Sequence, residues 1–239
     1  MRIFILTIIL FLMAGCYWDK PPKKEESKKD EPKDKEPKKD EPKKEIIKSP
    51  VKVETQEESN SSSLLQLDKK QKELYQSLKI YLSQLEALDT DAIADMTYPK
   101  FFSLFNKSTF KNHIYTMINS PHLEIQSFKT KISEIGQVSS FSKGEWSSVE
   151  YRSTITIYLQ NPELYSTKSS INTLYSILVR KYGRENIYVD TDQRLVKIKK
   201  VVKMLAIKER PNSWRFIGDN LEYRKLYPNF LPSDILNSI

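Results

Sequence analysis

Few residues in this chain have the types and spacing that catalysis needs. Its 239 residues hold two histidines, His113 and His122, one cysteine, Cys16, and five glycines. No histidine, cysteine or carboxylate pair has metal-ligand spacing. Five glycines could hardly build a phosphate-cradling loop, and no Gly-x-Ser-x-Gly elbow occurs. His113, beside Asn112 within a helical segment, and His122, after Pro121 at a loop–strand junction, read as surface or capping residues. The carboxylates Glu124, Glu134, Glu150, Asp190 and Asp192 fall on strands or turns. Glu150 shares a polar side with Arg152 and Thr154 and reads as a solvated cross-strand partner, while Asp190-Thr191-Asp192 reads as a hairpin turn. A general base would have to be an inward Asp or His poised by burial, and none stands out. No catalytic, cofactor-binding or metal residue is therefore expected.

Charge is more informative. The chain carries 39 basic and 31 acidic residues, a net charge of +8. Residues 19–58 are almost wholly Lys, Glu, Asp and Pro, with thirteen lysines balanced by thirteen acids, so the excess positive charge belongs to the folded domain expected beyond them. A near-repeat (Lys28-Lys29-Asp30-Glu31-Pro32-Lys33, then Lys38-Lys39-Asp40-Glu41-Pro42-Lys43) runs through this stretch, and no aromatic residue lies between Trp18 and Tyr75. Such a segment cannot bury enough apolar surface to offset chain entropy, and Pro21, Pro22, Pro32, Pro37, Pro42 and Pro50 break any helix. A disordered tether is expected over 16–63, reaching about 35–40 Å as a flexible chain. Within the positive domain, Lys197, Lys199 and Lys203 share one strand face by the two-residue period, with Lys200 and Lys208 on the other parity. They are a candidate partner face, a docking surface for an anionic partner steered by charge, or simply a solvated face that discourages edge pairing.

The first sixteen residues have a secretory layout: Arg2, an apolar run Ile3–Met13, then the small pair Ala14-Gly15 before Cys16. The run is too short to span a bilayer, which needs about 20 apolar residues. The junction resembles the lipobox of bacterial lipoproteins, with Met13 where Leu is commoner. That resemblance implies a signal peptide over 1–15, a diacylglycerol on the Cys16 sulfur and an acyl chain, palmitate or similar, on its new amine. Tyr17 rather than Asp after the cysteine implies the outer membrane by the sorting rule of diderm bacteria. Each buried methylene contributes about 0.8 kcal/mol, so two or three chains anchor durably where one does not.

Residues 64–239 suffice for one domain with its own core. Leu67, Leu74, Leu78, Tyr81, Leu82, Leu85 and Leu88 predict a helix over 67–88. Short helices are expected next at 91–96, at Pro99 with Phe101, Phe102 and Phe105, and at 109–119 behind a Ser108 cap. Strands are expected over 123–140 and 145–160. On the second, Val149, Tyr151, Ser153, Ile155, Ile157 and Leu159 share one face. Asn161-Pro162 turns the chain into a helix over 169–183 ending at Gly183, and strands at 195–209 and 213–218 close the domain. The order predicts α+β architecture, N-terminal helices on a curved antiparallel sheet. The run Tyr81–Pro99 and the late Asn212-Ser-Trp-Arg-Phe-Ile217 resemble the nuclear transport factor two-like family, across about 64–220. That resemblance implies a cone-shaped pocket that some relatives use for isomerase, dehydratase or hydrolase chemistry and many use only for binding. Tyr98, Phe101, Phe102, Phe105, Tyr151, Trp214 and Phe216 read as ordinary core.

Three functions fit: a lipid-anchored, non-catalytic binding module for an envelope partner or small ligand; an extracytoplasmic small-molecule enzyme working in a cone pocket; and a structural envelope spacer. The missing acid–base constellation favours the first. Nucleic acid is not an expected partner of an exported chain without an aromatic-basic module. Replacing Cys16 with Ser should shift the protein out of the membrane fraction or leave an uncleaved precursor. Membrane partitioning of that variant at the processed mass would refute lipidation.

Overall fold

The structure, a computed structural model, describes residues 67–239 with the exception of Phe105. The expected signal peptide, Cys16 and the tether lie outside the described residues.

Helix α1 (Lys69–Glu86) starts with a capping box: the Asp68 carboxylate accepts the Gln71 N–H and the Gln71 side chain accepts the Asp68 N–H. Its apolar stripe buries Leu74, Leu78, Tyr81 and Leu82. Asp89 caps α2 (Thr90–Met96), and a 3₁₀ turn over Pro99–Ser103 buries Phe101. Asn106, not Ser108, caps α3 (Lys107–Ile118). The Asn106 amide oxygen accepts both the N–H and the hydroxyl of Ser108, which sits in the first turn as a donor. The expected strand over 123–140 is two, β1 (Glu124–Ile135) and β2 (Ser139–Phe141), and β3 comes next over Gly144–Tyr158. Where the sequence reads a turn, Asn161 caps a one-turn helix α4 (Pro162–Tyr165), with proline at its first position. Helix α5 (Lys168–Tyr182) ends at Gly183, whose φ of 85° favours glycine; a Cβ there would meet the Glu185 carboxylate at 2.4 Å.

Strand β4 (Ile187–Asp190) is not anticipated by the sequence pattern. It forms a hairpin with β5 (Leu195–Glu209) around the expected turn, in which the Asp190 carboxylate accepts the N–H groups of Asp192 and Gln193. Strand β6 begins at Arg215 (Arg215–Gly218), so Trp214 immediately precedes it rather than lying within it. The chain continues into α6 (Leu221–Leu226), a turn at Tyr227–Asn229 and α7 (Ser233–Leu236), none of which the sequence pattern anticipates.

All ladders of the six-stranded sheet are antiparallel, in the order β1-β3-β5-β4, with β2 also on β3 and β6 also on β5. Residues Val149, Tyr151, Ser153, Ile155 and Ile157 of β3 are buried, as the alternation predicts. Helices cover this face in two places. Under α1, Tyr151, Met204 and Ala206 meet Leu74, Leu78, Trp214 and Phe216. Under α5, Ile155, Ile157, Val196 and Ile198 meet Ile171, Leu174 and Leu178. Burying each such side chain contributes about 1.5–3 kcal/mol.

Among the described residues the opposite face is covered at one end only. There Leu205, Ile207 and Ile217 pack beneath Tyr227, Phe230, Leu231 and Ile235 of the C-terminal segment. The Asp234 carboxylate accepts the Ser142 N–H, tying α7 to the β2–β3 turn. Strand β5 records the change: it alternates from Val196 to Lys199, then is buried continuously from Met204 to Ile207.

Trp214 is 1% exposed, its indole N–H has no hydrogen-bond partner among the described residues, and the Lys208 ammonium lies 5.8 Å from its ring centre. Trp214→Ala should lower unfolding free energy by about 3–5 kcal/mol in denaturant titration. Trp214→Phe should cost clearly less, since it keeps an aromatic body and removes an orphaned donor. A near-neutral alanine variant would contradict the packing.

Candidate functional site

The end of the second face left uncovered among the described residues carries a cluster of positive charge. Lys197, Lys199 and Lys203 are exposed there, on the odd parity of β5 as the spacing predicts. Register then brings in three cations that the spacing alone does not reveal. Lys199 faces Thr154 of β3, which faces Lys129 of β1, and Val201 faces Arg152, which faces Lys131. All six cations are exposed, and none makes an ion pair within 4 Å among the described residues. Elsewhere the pattern is mixed: Lys70, Lys100, Lys107, Lys111, Lys168, Lys208, Arg224 and Lys225 are paired, while others such as Lys72, Lys79 and Arg184 are not, so what distinguishes this face is the clustering of its cations. Two acids moderate the far end of the patch: Glu150, opposite Lys203, accepts the Ser133 hydroxyl, and Glu134 lies opposite Glu150. Like charges aligned across a sheet repel, but solvent screens these exposed side chains, so the repulsion shows in what the face attracts more than in stability.

At the β4 edge of the same face is a cavity of about 310 Å³ lined by Glu185, Asn186, Ile187, Tyr188, Lys197 and Lys199. Tyr188 sits opposite Lys197 in the β4–β5 ladder and is 61% exposed. The Asn186 amide donates to the Tyr182 carbonyl and to Glu185, which fixes the loop between α5 and β4.

The helix-covered face holds a second polar feature. Thr130, Ser153 and Lys200 lie in one row across β1, β3 and β5, between the two apolar clusters. The Glu86 carboxylate, at the end of α1, accepts the Thr130 N–H and hydroxyl. Lys200 is half-buried on the parity that the spacing assigns it. Burial, and secondarily the neighbouring Lys181, lowers its pKa to about 8. Lys181 is exposed overall, yet packing around its ammonium, which lies 5.2 Å from the Tyr182 ring centre, also lowers it to about 8. The buried Tyr182 hydroxyl has no hydrogen-bond partner among the described residues. With a pKa near 8 the Lys200 amine remains mostly protonated at neutral pH and loses its proton more readily than an ordinary lysine.

The remaining candidates are scattered. His113 is exposed on α3, and the ring of His122 meets the Asn161 amide at 2.9 Å beside the α4 cap. Glu124 accepts the Gln160 amide, and Asp192 pairs with Lys168. Among the described residues no group of three or more His, Cys, Asp and Glu could hold a metal ion, and no helix is long and apolar enough to cross a membrane. Comparison with protein-family models, with curated proteins and with solved structures found no match.

A lysine whose folded pKa lies below its unfolded value near 10.4 binds fewer protons when folded. Its penalty is complete below about 8 for Lys181 and Lys200, and is relieved as pH rises toward the unfolded value. Tyrosine ionisation in the unfolded chain bounds the usable window near pH ~10. Lys200→Met should therefore raise the melting temperature at pH 7, with the advantage over wild type shrinking between pH ~8 and ~10. A difference that stays constant with pH would refute the assignment.

Proposed function

We propose that this protein is a lipid-anchored binding module of the cell envelope, whose folded domain engages an anionic envelope partner through a basic sheet face. In this reading Cys16 carries the lipid, the outer membrane holds it, and residues 16–63 are a disordered tether. The domain is a cone-like relative of the nuclear transport factor two-like family, used for binding rather than catalysis. The lipobox-like junction supports the anchor. The order of helices before a long antiparallel pair supports the cone.

One observation carries the binding role: Lys129, Lys131, Arg152, Lys197, Lys199 and Lys203 share an open sheet face with no ion pair among the described residues. A surface that only kept the chain soluble would gain from interspersed acids, and here they stand only toward one end, at Glu150 and Glu134. Concentrating one sign raises local counter-ion concentration and speeds encounter with an opposite charge. A second reading, an extracytoplasmic small-molecule enzyme, rests on Lys200 with its lowered pKa beside Lys181.

Replacing Lys197, Lys199 and Lys203 together with Gln should weaken binding to dextran sulfate by about tenfold or more at low ionic strength and flatten its salt dependence. The melting curve should hardly move, because exposed substitutions typically change stability by no more than about 0.5 kcal/mol. Unchanged affinity at low and high salt would leave the lysines as a solvated face.

A further inference from the structure

The basic face ends in a cavity whose walls are not uniformly basic. Lys197 and Lys199 form one side, and Tyr188 and Glu185 line it with Asn186. The volume of about 310 Å³ is at the small end of ligand clefts. Tyr188 offers an exposed ring as an apolar platform with a polar tip. Glu185 accepts hydrogen bonds but repels anions, and it pairs with neither lysine within 4 Å among the described residues. A ligand that is anionic all over, such as polyphosphate or a bed of lipid phosphates, meets repulsion at Glu185. A ligand with hydroxyl groups on one side, an acid group on the other and a flat C–H face between satisfies every wall. That combination is a sugar ring bearing an acid.

The cavity opens onto the row of cations, which suits a polymer. Lys197 and Lys199 are about 7 Å apart along β5, and Lys199 and Lys129 are two strands apart, about 10 Å. Thr154 lies between Lys199 and Lys129, and Thr156 beside Lys197, on the same face. A chain leaving the cavity across the sheet passes Lys199, Lys129, Lys131 and Arg152. One wall is ordered: the Asn186 amide donates to the Tyr182 carbonyl and to the Glu185 carboxylate.

We infer that the cavity between Tyr188, Glu185, Lys197 and Lys199 is a subsite for one acid-bearing sugar unit of an anionic polysaccharide, carboxylated or phosphorylated, whose chain continues across the basic face. The inference rests on the proposed anionic partner and narrows it to a glycan.

The test uses the full-length chain in mild detergent and titration calorimetry. Polygalacturonate oligomers and phosphorylated dextran are each compared with a sugar-free polyanion of matched charge, polyglutamate and polyphosphate respectively. At least one glycan should bind about tenfold tighter than its sugar-free counterpart, and Tyr188→Ala should abolish that preference while leaving polyglutamate and polyphosphate binding intact, the pattern of a truncated aromatic anchor. Equal affinity within both pairs, or a preference that survives Tyr188→Ala, would overturn the inference. So would tighter binding to phosphatidylglycerol bicelles than to either glycan, which would identify a membrane surface. These results leave the broader reading standing. That reading fails if the Lys197, Lys199 and Lys203 triple glutamine variant binds all four polyanions, and dextran sulfate with them, as wild type does.

Discussion

The antiparallel pairing of β3 with β5 is the constraint on which the rest of the molecule depends. It runs without a shift in register from Gly144 opposite Glu209 to Tyr158 opposite Leu195. Every other strand attaches to one of these two. Side chains alternate in a strand, so a one-residue slip would turn Tyr151, Ile155 and Ile157 out of the core and bring Arg152 and Thr154 in. Gly144 guards one end: a Cβ there would lie 1.9 Å from the Lys208 carbonyl oxygen, so the close approach that starts the ladder requires glycine.

Two consequences of that register are opposed in character. On the helix-covered face it aligns Thr130, Ser153 and Lys200 into a polar row that parts the core beneath α1 from the core beneath α5. Leu85 packs against both clusters and joins them across the gap. On the other face it aligns cations from three strands. The C-terminal segment covers only the apolar end of that face, where Leu205, Ile207 and Ile217 lie. The boundary falls between Lys203 and Leu205, two residues apart on one side of β5.

Much of this architecture is legible in local pattern. The helical spacing of Leu74, Leu78, Tyr81 and Leu82 and the alternation from Val149 to Leu159 directly reflect burial, so they mark out α1 and β3. The same alternation places Lys197, Lys199 and Lys203 together. What pattern does not carry is register. Lys129 and Lys131 have the right spacing, but only pairing through β3 sets them beside Lys199 and Arg152. Strand β4 is four residues long, too short for a period to declare itself. The C-terminal helices are brief and bury aromatic residues irregularly. The run Met204-Leu205-Ala206-Ile207 does signal burial on both faces, and with it a cover for the second face, but a single-face alternation of Met204 and Ala206 conceals that signal.

The division of labour within β5 has a further meaning for how such a protein can change over generations. From Val196 to Lys203 the even positions hold the fold and the odd positions meet solvent. Substitutions at 197, 199, 201 and 203 can accumulate without disturbing a packed neighbour. The surface is therefore free to vary while its scaffold stays under a separate, stricter selection. Lineages sharing this fold would diverge first along that one parity of one strand.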